Sequence, residues 1–273
     1  YEKNSDRPGM NNRIRALREE SVSTQASLSI ERALITTRFY KENDGKYSIP
    51  MMRALNFMEI CDKKTIYIGN DELIVGERGE KPKAVSTFPE LTCHSVEDLN
   101  VLNTRDQQRY IISEEDIKLY EKEVIPYWEG RTMRERIFNF VPENWQLAYE
   151  AGLFTEFMEQ RAPGHTCLDG KIYHKGMLDF KREIQVEIDK LDYYNDPEAT
   201  DREDQLRAMS ISCDALIRLG ERYAEKAEDM ASTETNPARL DELLEIARVC
   251  RRVPAHAPSN YWEAIQMYWF VHL

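Results

Sequence analysis

The sequence predicts a mainly α-helical fold with one short β-hairpin, and three observations support this fold class. Apolar residues recur at the spacing of a helix surface through most of the chain. The period changes to strand-like runs only at residues 65–76 (TIYIGNDELIVG), around a Gly-Asn-Asp turn. With 273 residues, of which 41% are hydrophobic and 32% charged, the chain is long enough to bury a core.

Start and stop signals place the individual helices. Ser113 and Asp116 have the spacing of a capping box, as do Asn260 and Glu263, and Pro237 suits the first turn of a helix. Two prolines within residues 79–92 predict a loop there. We predict helices over residues 29–40, 50–61, 113–126, 130–140, 145–160, 178–191, 201–230, 237–253 and 260–273.

The composition argues against several classes of partner. Asp and Glu outnumber Lys and Arg by 49 to 37, and a net charge of -12 without a basic stripe disfavours nucleic acid. Apolar runs fall short of the ~18 residues that span a bilayer, and the polar start lacks a signal-peptide core. The five cysteines lack CxxC spacing and the histidines are scattered, so we predict no metal site, no disulfides and a cytoplasmic protein.

Residues 149–166 (YEAGLFTEFMEQRAPGHT) give the strongest local indication of a site, because no common nucleotide, zinc or serine-hydrolase motif occurs. A predicted helix ends there in Arg-Ala-Pro-Gly-His, where Pro and Gly fix a tight turn. The turn would aim Arg161 and His165 at one anionic or hydroxylated ligand, with Phe157 as an apolar wall. The structural alternatives are an ion pair or helix cap for Arg161, a loop hydrogen bond for His165 and core packing for Phe157.

Two further features near this segment carry less weight. Cys167 lies close to His165, but nothing marks the third, orienting group that a Cys/His pair would need. The charge run at 131–136 is interpreted as a solvated helix face. Composition and motifs alone therefore predict a soluble, mainly helical domain.

Five segments, in order along the chain, resemble the glycyl radical enzymes of the pyruvate formate-lyase superfamily. They are SIERA at 29–33, ELIVGE at 72–77, TFPELTCHSVEDL at 87–99, EAGLFTEFMEQRAPGHT at 150–166 and VPAHAPSNYWEAIQMYWFVHL at 253–273. Within the superfamily they look most like the branch that dehydrates trans-4-hydroxy-L-proline. We therefore expect 13–273 to be part of one such domain, truncated at its carboxyl end, and 1–12 to be disordered or extended.

The resemblance implies a ten-stranded α/β barrel wrapped by helices, of which this chain would supply the amino-terminal helical part. It also implies that an S-adenosylmethionine-dependent activating enzyme installs a glycyl radical, which passes to a cysteine. The thiyl radical removes hydrogen from carbon 5 of hydroxyproline, the 4-hydroxyl leaves as water, and a pyrroline carboxylate results. The implied full-length protein binds no other cofactor and is a homodimer.

Carried over by position, Phe157 and His165 match residues that line the substrate pocket in this family, and Arg161 is a third expected contact. Isethionate sulfite-lyases have a glutamine where this chain has His165, which argues against a sulfonate substrate. Neither an Arg-Val-x-Gly-Tyr radical motif nor a Cys-x-Glu setting occurs in the chain. The thiyl cysteine, the acid/base glutamate and the radical glycine are thus expected beyond Leu273, and this chain alone is expected to be inactive.

Two alternatives remain open at this point. One is another enzyme of the superfamily: an isethionate sulfite-lyase, a diol dehydratase or a formate acetyltransferase. The other is a non-catalytic helical binding module, which would cover its last helix. A fragment would instead expose an apolar patch around Trp262, Trp269 and Phe270.

Overall fold

The computed structural model describes residues 11–154 and 168–273. Within these ranges the chain forms twelve α-helices and one two-stranded sheet, so the mainly helical prediction is confirmed. None of these helices is long and apolar enough to cross a membrane. The elements are α1 (Asn12–Ser23), β1 (Ser27–Ser29), α2 (Glu31–Asn43), α3 (Ile49–Lys63), β2 (Ala84–Ser86), α4 (Val96–Thr104), α5 (Glu114–Glu123), α6 (Ile125–Trp128), α7 (Met133–Phe138), α8 (Glu143–Glu150), the 3-10 helix Asp169–Tyr173, α9 (Met177–Asp189), α10 (Ala199–Thr233), α11 (Pro237–Arg252) and α12 (Tyr261–His272).

The 35-residue helix α10 is the central element, and it packs against α3, α9 and α11. Alanines recur along its buried face, and their small side chains let the neighbouring helices approach closely. These alanines are Ala208, Ala215, Ala224, Ala227 and Ala231. The predicted helices at 50–61, 113–126, 178–191, 201–230, 237–253 and 260–273 correspond to α3, α5, α9, α10, α11 and α12 and are confirmed.

Three apolar clusters form the core of the described residues. The first joins α3, α10, α11 and α12 and includes Leu219, Tyr223, Leu243, Ile246 and Phe270. The second surrounds α2, α4 and α5 and includes Leu28, Leu99, Ile117, Tyr120 and Trp128. The third lies beneath the 3-10 helix and includes Ile172, Met177, Val249, Val253 and Met267.

The predicted hairpin at 65–76 is wrong. The two strands of the sheet come from elsewhere, and they pair in parallel with Ser27 opposite Ala84 and Ser29 opposite Ser86. Residues 65–76 contain no strand. Their β-rich composition predicts an extended backbone correctly, but the hydrogen-bond partners of that backbone are helix side chains rather than a second strand.

We call residues 69–77 the strap, and α12 supplies most of its partners. Gln266 accepts a hydrogen bond from the N–H of Val75 at 2.9 Å and donates to the carbonyl oxygen of Val75 at 2.7 Å. The amide side chain thus replaces the neighbouring strand that a sheet would provide. One turn earlier on the helix, the indole N–H of Trp262 donates to the carbonyl oxygen of Leu73 at 2.9 Å.

Both ends of the strap are held in the same way. The indole of Trp269 donates to the carbonyl oxygen of Gly76 at 2.9 Å. Arg239, only 8% exposed, donates to the carbonyl oxygens of Gly69 and Glu72, each at 2.9 Å. Because buried backbone groups require partners, these side chains make the strap a fixed part of the core.

The strap also covers α12, so the expected exposed apolar patch on that helix is wrong. Phe270 is 1% exposed and packs in the first cluster. Trp262 and Trp269 are half-buried and hydrogen-bonded to the strap. A helix that is apolar on several faces needs cover on more than one side. The strap on one side and α10 and α11 on the other cover much of α12, and Tyr261 and Tyr268 stay exposed.

Helix α9 begins against the turn that follows α11. The N–H of Met177 donates to the carbonyl oxygen of Pro254 at 2.9 Å. A Cβ atom on Gly176 would lie 2.3 Å from the carbonyl oxygen of Ala255 and 2.4 Å from the Cα of His256. Both of these atoms belong to the backbone, so the contact requires glycine.

Replacing Gly176 by alanine should therefore lower the free energy of unfolding by about 2 kcal/mol, because α9 must move away from the turn. Gly170 is a matched control, since a Cβ atom there would meet nothing within 4 Å. Urea unfolding of both variants measures the effect. Equal free energies for the two variants would show that this close approach is not tight in solution.

Candidate functional site

The predicted substrate-binding residues Phe157, Arg161 and His165 lie outside the described residues, as does Cys167. Their roles therefore stay predictions. The described chain on either side of them shows what holds the two ends of this segment. The described residues also show that the helix predicted over 145–160 is shorter than expected.

Helix α8 ends at Glu150, so the predicted helix over 145–160 is wrong in its extent. Gly152 follows in the left-handed conformation with φ +72°. The N–H of Leu153 donates to the carbonyl oxygen of Ala148 at 3.1 Å, which is the six-residue ring of a Schellman motif. The placement of Phe157 one helical turn before Arg161 therefore does not follow from α8.

Four aromatic residues, which we call the aromatic cluster, fix the chain before residue 155. They are Phe138, Trp145, Tyr149 and Phe154. Trp145 and Tyr149 stack with 5.9 Å between ring centroids and 3° between planes. Phe154 lies 4.8 Å from Trp145, and edge-on or tilted contacts of this kind each contribute about 0.5–1.5 kcal/mol.

Arg134 connects the aromatic cluster to the loop at 87–95. Its guanidinium lies 4.5 Å from the ring centroid of Phe138, and it donates to the hydroxyl of Tyr149 at 3.0 Å. Its backbone N–H donates to the carbonyl oxygen of Leu91 at 3.0 Å. The interpretation of the run 131–136 as a solvated face is therefore wrong at Arg134, which places a cation against aromatic faces.

The loop at 87–95 is in turn held to α2. Arg32 forms a two-pronged ion pair with Glu90, with distances of 2.5 and 3.1 Å. Its guanidinium also lies 4.0 Å above the ring of Phe88. Planar guanidinium groups suit this combination of carboxylate and ring contacts. The aromatic cluster is thus connected through Arg134 and this loop to the second core cluster.

After the undescribed segment, the chain enters the core at once. Leu168 adopts a left-handed conformation with φ 71°, and the 3-10 helix begins at the next residue. Ile172 in that helix is 1% exposed and packs against Met177 and Met267. The two ends of 155–167 are therefore anchored on different clusters, the aromatic one before it and the third core cluster after it.

A buried carboxylate forms the second polar centre of the described chain. Glu263 is fully buried and receives hydrogen bonds from the N–H and the hydroxyl of Ser259, both at 2.7 Å. Arg248 and Arg252 donate to it at 2.8 and 3.1 Å. Burial opposes ionisation, but these donors outweigh it and lower the pKa of Glu263 to about 2.

The predicted cap at this helix is confirmed in part. Asn260 accepts a hydrogen bond from the N–H of Glu263 at 3.0 Å, as an N-cap should. The Glu263 carboxylate, however, reaches back to Ser259 rather than to Asn260. With its pKa lowered to about 2, this carboxylate is ionised at neutral pH and is a poor proton donor there.

The described cysteines have the environment of core residues. Burial raises the pKa of the Cys61 thiol to about 12 and that of Cys213 to about 11. Burial also raises the pKa of Cys250 and lowers that of His94. In residues 11–154 and 168–273, no group of three or more His, Cys, Asp or Glu side chains could hold a metal ion.

The sequence and the fold both match one family of enzymes. Residues 9–273 match the family model described as pyruvate formate lyase-like. The chain therefore belongs to the pyruvate formate-lyase-like family. The relatives that it matches in this family are glycyl radical enzymes.

The individual relatives narrow the comparison. The chain is 48% identical to trans-4-hydroxy-L-proline dehydratase of Clostridioides difficile, over 96% of this chain and 33% of that protein. It is 30% identical to an isethionate sulfite-lyase of Oleidesulfovibrio alaskensis, over 90% of this chain and 31% of that protein. The crystal structure of the Clostridioides difficile hydroxyproline dehydratase with trans-4-hydroxy-L-proline bound superposes with a TM-score of 0.92, covering 97% of this chain and 34% of that one. The chain thus spans about a third of the length of the relatives it matches.

Proposed function

We propose that this chain is part of a glycyl radical C–O lyase that dehydrates trans-4-hydroxy-L-proline to a pyrroline carboxylate. The observation that carries the proposal is the 48% identity over 96% of the chain to a hydroxyproline dehydratase. The sulfite-lyase relative shares only 30%, which disfavours isethionate. In the proposal, residues 13–273 belong to one partial domain of a cytoplasmic, homodimeric enzyme.

The proposed reaction loses one molecule of water. A thiyl radical, formed through the glycyl radical that an S-adenosylmethionine-dependent activating enzyme installs, takes hydrogen from carbon 5 of hydroxyproline. The 4-hydroxyl takes up a proton from an acid/base carboxylic acid and leaves as water, and the ring nitrogen gives its proton back to the resulting carboxylate. The carbon radical that remains takes a hydrogen atom from the cysteine thiol, which forms the pyrroline carboxylate and restores the thiyl radical. Neither the thiyl cysteine nor the radical glycine belongs to this chain, so the 273 residues alone are proposed to be inactive.

The contribution of this chain is the binding of substrate by Phe157, Arg161 and His165. Hydroxyproline carries a carboxylate and a hydroxyl group, which suit a guanidinium and an imidazole, and its ring carbons suit an apolar wall. The aromatic cluster and the 3-10 helix hold the two ends of the segment with these residues. Fixed ends favour the proposal, because substrate contacts must be positioned closely for catalysis.

The test is anaerobic turnover by the full-length protein with its activating enzyme. We expect a glycyl radical by electron paramagnetic resonance and a pyrroline carboxylate by mass spectrometry. The same radical without turnover of hydroxyproline, but with turnover of isethionate or a diol, would contradict the substrate and keep the family. The 273-residue chain under the same conditions should form no product.

Replacing His165 by alanine in the full-length protein should raise KM for hydroxyproline at least about tenfold, because a hydrogen bond to a polar substrate group is lost. The exposed His174, replaced by alanine, is the matched control and should leave KM unchanged. Steady-state kinetics at equal radical content measure both variants. An unchanged KM in the His165 variant would mean that His165 makes a hydrogen bond within its loop and does not contact the substrate.

A further inference from the structure

We propose that an exposed apolar surface on α7 and α8 is where the rest of the full-length enzyme packs against this chain. We call this surface the outer patch, and its members are Phe140, Leu147 and Leu153, which are 93%, 57% and 77% exposed. Single exposed apolar side chains are normal, but a group of them with a polar rim marks an interaction site. The proposal rests on the proposed function, which places the reacting cysteine outside these 273 residues.

The end of α8 brings two members of the outer patch together. The N–H of Gly152 donates to the carbonyl oxygen of Tyr149 at 2.9 Å, and that of Leu153 donates to the carbonyl oxygen of Ala148 at 3.1 Å. These are the two hydrogen bonds of a complete Schellman motif. The apolar contact typical of this motif joins the residue after the glycine to the last turns of the helix. Leu153 is thereby placed beside Leu147.

The third member is held to the same helix by a glutamine. Gln146 donates to the carbonyl oxygen of Phe138 at 2.8 Å and to that of Val141 at 3.2 Å. Both hydrogen bonds tie the turn that contains Phe140 to α8, at the residue next to Leu147. The outer patch is therefore presented by an ordered helix–turn–helix unit.

The aromatic cluster occupies the opposite face of α8. Successive residues of an α-helix lie ~100° apart, so Leu147 points away from both Trp145 and Tyr149. The stacked rings of Trp145 and Tyr149 are covered by Phe138 and Phe154. Helix α8 thus has two apolar faces, of which the described residues cover one. A helix of this kind needs packing on both faces, so a further layer belongs on the outer patch.

The rest of the enzyme is the occupant that the observations favour. The matched crystal structure is covered to only 34% by this chain, so about two thirds of that related enzyme has no counterpart here. Leu153 comes just before the segment 155–167, which carries the predicted substrate residues. In the proposed reaction, the thiyl cysteine of the remaining part must reach the substrate that these residues bind. The remaining part therefore lies against this region of the chain.

The rim of the outer patch disfavours a second copy as the occupant. Glu143 and Glu150 are exposed on α8, four residues before and three residues after Leu147. Two copies of this surface would bring their acidic rims together, which is unfavourable. The partner surface that fits has apolar side chains at its centre and lysine or arginine at its edge.

The test is photo-crosslinking of the full-length protein with p-benzoyl-L-phenylalanine in place of Leu147. We expect the cross-linked peptide, identified by mass spectrometry, to come from the same chain and from outside these 273 residues. Mixing chains labelled with light and heavy nitrogen separates cross-links within a chain from those between copies. Tyr194 is the control position, because it is 100% exposed in a stretch rich in aspartate and glutamate. It should give at least about tenfold less cross-linked product.

Thiol labelling measures cover at the same position with a smaller substitution. In full-length Leu147→Cys, the introduced thiol should be alkylated at least about 100-fold more slowly than in the same variant unfolded in urea, because the reaction requires local opening. The control variant Tyr194→Cys should be slowed by less than about threefold. Mass spectrometry of the labelled peptide separates the introduced thiol from the native cysteines.

Two results would overturn the proposal. One is cross-linking from position 147 only between copies, and the other is labelling of Leu147→Cys as fast as that of Tyr194→Cys. Both measurements are made without the glycyl radical, so they do not depend on turnover. A cross-link to the rest of the same chain without hydroxyproline turnover keeps the outer patch and contradicts the substrate. Turnover together with fast labelling at position 147 keeps the proposed function and contradicts the outer patch.

Discussion

Replacing Gln266 by leucine should lower the free energy of unfolding by about 4 kcal/mol, the largest effect that we predict for one side chain. Gln266 and Val75 are both fully buried, and the glutamine amide satisfies both backbone groups of Val75. Leucine fills a similar volume but offers no hydrogen bond. The N–H and the carbonyl of Val75 would then be buried without partners, at a cost of about 1–3 kcal/mol each.

The graded control for this variant is Trp269→Phe. It removes one donor to the carbonyl oxygen of Gly76 and keeps most of the ring, so about 1 kcal/mol should be lost. Urea unfolding gives both values, and amide hydrogen exchange at Val75 reports the strap directly. We expect faster exchange at Val75 in the Gln266 variant. If exchange at Val75 stays slow and the Gln266 variant loses less than about 1 kcal/mol in its free energy of unfolding, other contacts hold the strap in place.

This pair also shows why the sequence predicts the backbone of the strap but not its partners. The β-rich residues at 65–76 favour an extended chain, and the structure has one. Two such β-rich runs close together in sequence usually pair with each other as a hairpin, so a hairpin was predicted. The actual partner is Gln266 on α12, and no local pattern connects positions so far apart. The long helices were predicted well because their information lies within one or two turns, as in the alanine-rich face of α10.

The candidate site was predictable to a smaller extent. The Pro-Gly turn predicts a constrained segment with Arg161 and His165, but those residues lie outside the described ranges. Its anchoring could have been anticipated in part. Arg134 and Phe138 are four residues apart on one helix, as are Trp145 and Tyr149, and such pairs meet on a helix surface. The packing of the two pairs on each other depends on tertiary structure, which the spacing does not contain.

The role of Glu263 also depends on tertiary structure, because burial and hydrogen bonding have opposite effects on the charge of its carboxylate. A glutamate in an apolar helix is read from sequence as a capping residue. Its side chain is inaccessible to solvent, whereas Arg248 and Arg252 remain 48% and 41% exposed. The arginines thus keep part of their hydration while they neutralise the carboxylate. This arrangement avoids the full desolvation penalty of a completely buried ion pair.

Replacing Glu263 by glutamine should lower the free energy of unfolding by on the order of 3 kcal/mol at pH 7. The ordinary pKa of a glutamate is 4.5, and its reduction to about 2 in the folded protein corresponds to a contribution of this size. Glutamine would also turn a donor or an oxygen without charge toward Ser259 and the two arginines. The control is Glu245→Gln, because Glu245 pairs with Arg248 on the exposed side and should contribute less than about 1 kcal/mol.

The pH dependence of this effect has a defined sign. Because the folded pKa lies below the unfolded one, the unfolded chain binds the proton first as the pH falls. The stabilisation by Glu263 is therefore complete above about pH 5.5 and is lost progressively from pH 4.5 toward pH 2. Urea unfolding of the native chain and the Glu263→Gln variant should differ most at pH 7 and converge on acidification. A difference that stays constant between pH 7 and pH 3 would mean that Glu263 stabilises the turn by packing rather than by its charge.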